Sequence, residues 1–189
     1  VISLSEQNYI RHQPADAFRL QNRAGKGLKG VTTKQDDFPE NIVACFSKDR
    51  LLIFTDQGRV YGFRAWETPQ ASRHARGSHV RNLLKGFRQD ESVVSILPVS
   101  RELIAEPDGH FLMFATEQGK VKKTALEHYA RIFRNGKYAI KLVEGDQLVS
   151  VRQQEEGDEV VLITKRGMAC RFIASEARPL GRVSQGVAG

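Results

Sequence analysis

Hydrophobic and polar positions recur along the chain in one layout, seen four times: an apolar run, a short polar turn, and a second run that mixes apolar with basic residues. The four segments are VISLSEQNYIRH (1–12), LLIFTDQGRVYGF (51–63), FLMFATEQGKVKKT (111–124) and VVLITKRGMACRF (160–172). β-Branched and aromatic residues fill the arms, and the turns hold small polar types that accept a positive φ, so each segment predicts a β-hairpin. Asn8, Gly58, Gly119 and Gly167 take the same place in their turns. No window shows a sustained helical period with caps; the nearest, Ser5 to Arg19, is broken by Pro14.

With those four positions as anchors, a second glycine falls into register beyond each hairpin. It lies 19 residues on at Gly27, Gly77 and Gly186, and two residues earlier in the third copy, at Gly136. Anchor spacings of 50, 61 and 48 residues suit propeller blades better than helical solenoid units. The expected organisation is one repeat domain over 1–189, with units 1–49, 50–109, 110–158 and 159–189, the last of them truncated. The extra length of the second unit is expected as a loop from Pro98 to Gly109, and the return strand of the third over Tyr138 to Val151. The fold class is therefore all-β and bladed, with about three and a half blades from repeats of ~50 residues.

Composition narrows the partner. The chain of 189 residues carries 29 Lys and Arg against 22 Asp and Glu, a formal charge of +7, which favours a polyanion. The distribution says more than the total. The windows 8–31, 58–81, 119–142 and 167–189 hold 20 of the basic residues and only four acids, Asp16, Glu67, Glu127 and Glu176. Charge placed on the same segment of successive units builds a stripe, and a stripe matches a phosphate backbone without reading bases. Its expected members are Arg11, Arg19, Lys29, Arg59, Arg73, Arg76, Arg81, Lys120, Lys122, Lys123, Arg131, Arg134, Lys137, Arg171 and Arg182.

Other chemistry is thinly represented. Cys45 and Cys170 stand alone, without zinc or disulfide spacing, and fit a reducing, cytoplasmic setting. No run approaches the ~18 apolar residues of a membrane span, so no membrane partner is expected. The five histidines, at 12, 74, 79, 110 and 128, show no metal-ligand spacing, so neither a metal nor a catalytic residue is expected. The four tyrosines are expected in packing or strand-edge roles, and Trp66 as core or blade-junction filling. The opening Val1-Ile2-Ser3-Leu4 reads as a piece of a longer chain.

The segment Gln21-Asn22-Arg23-Ala24-Gly25-Lys26-Gly27 has the chemistry of a phosphate contact, because glycines let backbone amides approach while Arg and Lys supply charge. It is not a nucleotide loop: Gly27 follows Lys26 where a Ser or Thr would hold magnesium. Read alone it is equally a flexible turn. It resembles, however, the heptapeptide QRRGGKG that marks the C-terminal domain of the DNA gyrase A protein, with Asn22 and Ala24 as departures. The likeness continues through Gly58-Arg59-Val60-Tyr61, Pro69-Gln70-Ala71-Ser72-Arg73, Arg76-Gly77, Asn82-Leu83-Leu84, Ile96-Leu97-Pro98-Val99, Gly119 to Thr124, Glu144-Gly145-Asp146, and Gly181-Arg182 with Gly186-Val187.

The resemblance implies a β-pinwheel, a propeller-like disc whose blades exchange strands and around whose basic edge duplex DNA wraps. It implies that Gln21, Arg23, Gly25, Lys26 and Gly27 hold the DNA bend. The implied partners are double-stranded DNA, the remainder of the gyrase A protein, and the gyrase B protein, in a bacterial cytoplasm beside the nucleoid. The parent would be an ATP-dependent type II topoisomerase, with ATP and magnesium bound only elsewhere in it, and this chain would do no bond chemistry. Two alternatives stand beside this reading. One is the related C-terminal domain of topoisomerase IV, in which the box is degenerate or missing; the other is a propeller-like scaffold that binds proteins.

Overall fold

A computed structural model describes residues 1–15, 37–72, 75–155 and 157–189. In chain order its strands are β1 (Ile2–Ser5), β2 (Tyr9–His12), β3 (Pro39–Val43), β4 (Arg50–Thr55), β5 (Arg59–Arg64), β6 (Ser78–His79) and β7 (Val93–Val99). A short helix α1 (Arg101–Ala105) precedes β8 (Phe111–Thr116), β9 (Lys120–Ala125), β10 (Lys137–Tyr138), β11 (Leu148–Gln154), β12 (Glu159–Ile163), β13 (Ala169–Ile173) and β14 (Val187–Ala188). The four hairpins are β1–β2, β4–β5, β8–β9 and β12–β13, all antiparallel.

Each hairpin turn is closed the same way. Asn8, Gly58, Gly119 and Gly167 sit at φ of 62°, 70°, 77° and 80°. A Ser or Thr three residues earlier accepts twice. Its carbonyl takes the anchor N–H, and its hydroxyl takes the N–H of the next residue: Tyr9 to Ser5 at 3.2 Å, Arg59 to Thr55 at 3.4 Å, and Lys120 to Thr116 and Met168 to Thr164 at 3.1 Å each. A side-chain oxygen thus satisfies a donor that the tight turn would leave unpaired.

The sheets show strand exchange. Their strand orders are β3-β1-β2-β6, β10-β5-β4-β7, β11-β8-β9-β14 and β12-β13. In each four-stranded sheet the first hairpin strand pairs with a strand that comes before the next hairpin begins, whereas the second takes a two-residue strand from beyond that next hairpin. Tyr9 pairs with His79, Val60 with Lys137 and Val121 with Val187. A glycine precedes each exchanged strand and lets it lie close. A Cβ on Gly77 or Gly186 would stand 2.5 Å from the Ile10 or Val121 carbonyl oxygen, and one on Gly136 would stand 2.5 Å from the Tyr61 ring.

The sheets stack face to face, which explains the continuous apolar run of β4. Leu51 and Ile53 join Ile2, Leu4 and Ile10 in one core, whereas Leu52 and Phe54 join Leu112, Phe114 and Tyr129 in the next. A strand covered on both faces has no polar side to alternate with. The fold is all-β and propeller-like, with blades that swap a strand.

Three sequence expectations change. The stretch Tyr138 to Val151 is not one return strand: Tyr138 lies in exchanged β10, and the return strand is β11, beginning at Leu148. The Pro98 to Gly109 segment is only partly loop, because Pro98 lies in β7 and Ser100 caps α1 through its side chain to Leu103 N–H at 3.1 Å. Trp66 is 63% exposed and fills no core.

Candidate nucleic-acid interface

The basic residues divide by burial. Arg11, Lys122 and Lys123 lie inside, with only 3%, 1% and 7% exposure, which corrects the expectation that they face a phosphate backbone. Arg11 donates from Nε to Ser3 Oγ at 3.3 Å and from Nη1 to the Ser72 and Ala75 carbonyls. Lys122 Nζ donates to the carbonyls of Ala139 and Arg182 at 2.6 Å each and of Gly181 at 3.4 Å. Lys123 Nζ donates to the Ala174 carbonyl at 3.2 Å and lies over the Phe111 ring at 4.4 Å. A buried cation persists only where acceptors replace its water; for Arg11 and Lys122 these include carbonyls near the exchanged strands, and for Lys123 the Ala174 carbonyl just after β13. Arg11 and Lys122 thus hold the exchanged segments in place.

A second group is partly exposed but held. Arg59 Nη1 donates to the Gly86 carbonyl at 2.8 Å, lies 3.6 Å from the buried Glu91 carboxylate, and stacks over Tyr61 at 4.9 Å. Glu91 also accepts from Thr55 Oγ1 at 2.7 Å and from the Tyr61 hydroxyl at 3.0 Å. Burial, reinforced by that carboxylate, raises the Tyr61 phenol well above its ordinary range. Arg76 stacks over the Tyr9 ring at 3.6 Å and donates to Gln7 Oε1. Arg134 pairs with Glu67, and Arg182 donates to the Tyr138 carbonyl. Lys120 is half-buried on β9.

The exposed cations among those expected are Arg81, Arg131, Lys137 and Arg171; the last pairs with Glu159 at 3.1 Å. Gln21, Arg23, Gly25, Lys26 and Gly27, with Arg19, Lys29 and Arg73, lie outside the described residues.

The structure also assembles a basic cleft that the repeat pattern does not single out. A cavity of about 590 Å³ lies between β5 and the loop before β10, with Arg50, Arg64, Lys85 and Arg134 on its walls and Glu67 as the one carboxylate among the described residues that line it. Arg64 Nη1 donates to the Lys48 carbonyl at 2.9 Å, and Arg50 donates to the Ile132 carbonyl. Burial lowers the Arg50 pKa, with Arg64 beside it adding to the effect. Arg50 and Lys85 fall outside the basic windows; a cross-strand partner was the missing signal, because Arg50 pairs in register with Arg64 across the hairpin.

No group of three or more His, Cys, Asp or Glu among the described residues could hold a metal. Nor is any described helix long and apolar enough to cross a membrane. A family model described as DNA gyrase C-terminal domain, beta-propeller, matches residues 1–45, 49–100, 110–155 and 158–189. The chain belongs to this family.

The DNA gyrase A protein of Staphylococcus aureus is 39% identical to it over all 189 residues, which span 21% of that relative. Among solved structures, the C-terminal domain of DNA topoisomerase IV superposes over the whole chain and 55% of its own length, with a TM-score of 0.80 at 25% identity. The DNA gyrase A C-terminal domain does so over the whole chain and 59% of its own, with a TM-score of 0.72 at 22% identity. The chain thus covers about a fifth of the curated relative. As a member of the DNA gyrase C-terminal domain family it carries its cations in two roles: inward ones that tie blade to blade, and outward ones on the second hairpin strands and the loops leading to exchanged strands.

Proposed function

We propose that this domain binds duplex DNA without reading its sequence, bends it and wraps it around a basic rim. In that role it is the non-catalytic part of an ATP-dependent type II topoisomerase that introduces negative supercoils. The observation that carries the reading is the recurrence of exposed or half-exposed cations around the exchanged strands: Arg76 and Arg81 around β6, Arg131, Arg134 and Lys137 around β10, and Arg182 before β14. Such spacing suits a long polyanion better than a small ligand, and each neutralised phosphate releases counterions. In sequence register the box residues Gln21, Arg23, Gly25 and Lys26 occupy the same stretch ahead of a registered glycine, Gly27, so we assign these five the strongest hold on the bend.

The partners are then double-stranded DNA and, in the parent enzyme, the rest of the gyrase A protein with the gyrase B protein. A topoisomerase IV domain is the second reading, favoured by the TM-score of 0.80. Duplex length tests the proposal. Affinity should rise as the duplex grows beyond ~100 base pairs, since a wrap spreads its contacts along the helix. Affinity independent of length contradicts it.

A further inference from the structure

The basic cleft carries one large apolar group that stays in solvent. Phe133 is 57% exposed, yet its loop is fixed. Its carbonyl accepts from Gly62 N–H at 3.2 Å and Gly136 N–H at 3.1 Å, and the next carbonyl, of Arg134, accepts from Lys85 N–H at 2.8 Å. On the other side Ile132 is 1% exposed, and its carbonyl lies where a Cβ on Gly62 would stand 2.5 Å away. The ring therefore projects from a strap fastened before and after it, flanked in sequence by Arg131 and Arg134 and with the Arg50 guanidinium 5.6 Å from its centroid. Among the described residues the arrangement recurs once in weaker form. Val183, also three residues ahead of its registered glycine and next to Arg182, is 52% exposed.

An apolar side chain held out between cations fits a duplex whose phosphates dock on either side while the ring meets the base stack. From this we infer that Phe133 is a wedge that inserts between base steps and kinks the duplex, a step that rests on the DNA-binding reading above. A backbone already fastened on both sides of the ring loses little conformational entropy on insertion, and wedges of this kind partly unstack a step and kink DNA by about 20–90°. Electrostatic docking then supplies affinity, and Phe133 supplies the sharp part of the bend. A protein or peptide would also cover an apolar ring, but four cations against one carboxylate in the same cleft favour the polyanion.

The test uses the intact chain as wild type, Phe133→Ala and Phe133→Leu, each checked for folding by circular dichroism, on a ~150-base-pair duplex. Permanganate oxidation of thymine reports unstacking, and ligase-driven ring closure reports bending. Wild type and Phe133→Leu should raise both signals. Phe133→Ala should bind within about threefold of wild type while thymine reactivity returns to that of free DNA and ring closure falls about tenfold. Equal reactivity and ring closure for wild type and Phe133→Ala overturns the wedge while leaving DNA binding intact. A wild type that leaves the duplex unbound overturns the DNA reading and the wedge together.

Discussion

Burial, with the Arg182 charge nearby, brings the Lys122 ammonium down to about 7 from the ordinary 10.5. Between those values the unfolded chain keeps a proton that the folded chain has released, so the free energy of unfolding rises with pH through this window. The penalty is fully present below about pH 7. Urea midpoints at pH 6 and pH 9 should therefore show wild type gaining stability relative to Lys122→Met as pH rises. At pH 9, where much of that penalty is gone, the variant should be less stable by about 2 kcal/mol, because buried carbonyls lose their donor. Arg11 and Lys122 both stand three residues past their anchors, and sequence alone assigned them to the rim because they fall in the basic window that each repeat shares. Only the neighbouring segment's carbonyls, supplied by exchange, show otherwise. For the box, Arg23→Ala with Lys26→Ala should abolish ring closure of a duplex before it abolishes binding, since charge elsewhere in the repeat still docks phosphate.

The exchanged strand is the element that joins one blade to the next. Gly77→Ala places a Cβ 2.5 Å from the Ile10 carbonyl oxygen at a φ of 86°, so it should destabilise the domain by about 2–3 kcal/mol. Amide exchange at Ser78 and His79 should quicken first, with the hairpin β4–β5 unaffected at low denaturant. The hairpins were legible because arms of four to six residues carry an apolar pattern and their turns carry glycine or, in the first, Asn8. Two-residue strands such as Lys137–Tyr138 carry no period at all, and so Tyr138 read as the start of a longer return strand. The registered glycines Gly77, Gly136 and Gly186 were the visible trace of exchange, although spacing alone could not say what they approached.

At the scale of the molecule, stacked blades repeat their outward cations around the same segments, so binding should be polyelectrolyte in character. A plot of log affinity against log salt should be linear, with a slope of about −0.9 for each phosphate neutralised, and truncating Arg131 and Lys137 to Ala together should shallow it by about 2. Charge distribution pointed to the segments that bear cations, but burial decides which of those cations face outward. The Arg50, Arg64, Lys85 and Arg134 cleft joins residues from three separate stretches and had no sequence signature. Wrapping of duplex DNA around the basic rim is the central claim, and ligation of nicked plasmid in the presence of the domain tests it most directly. After the protein is removed, the closed circles should show a shifted distribution of linking number that grows with protein concentration; circles identical to those closed without protein would contradict the account.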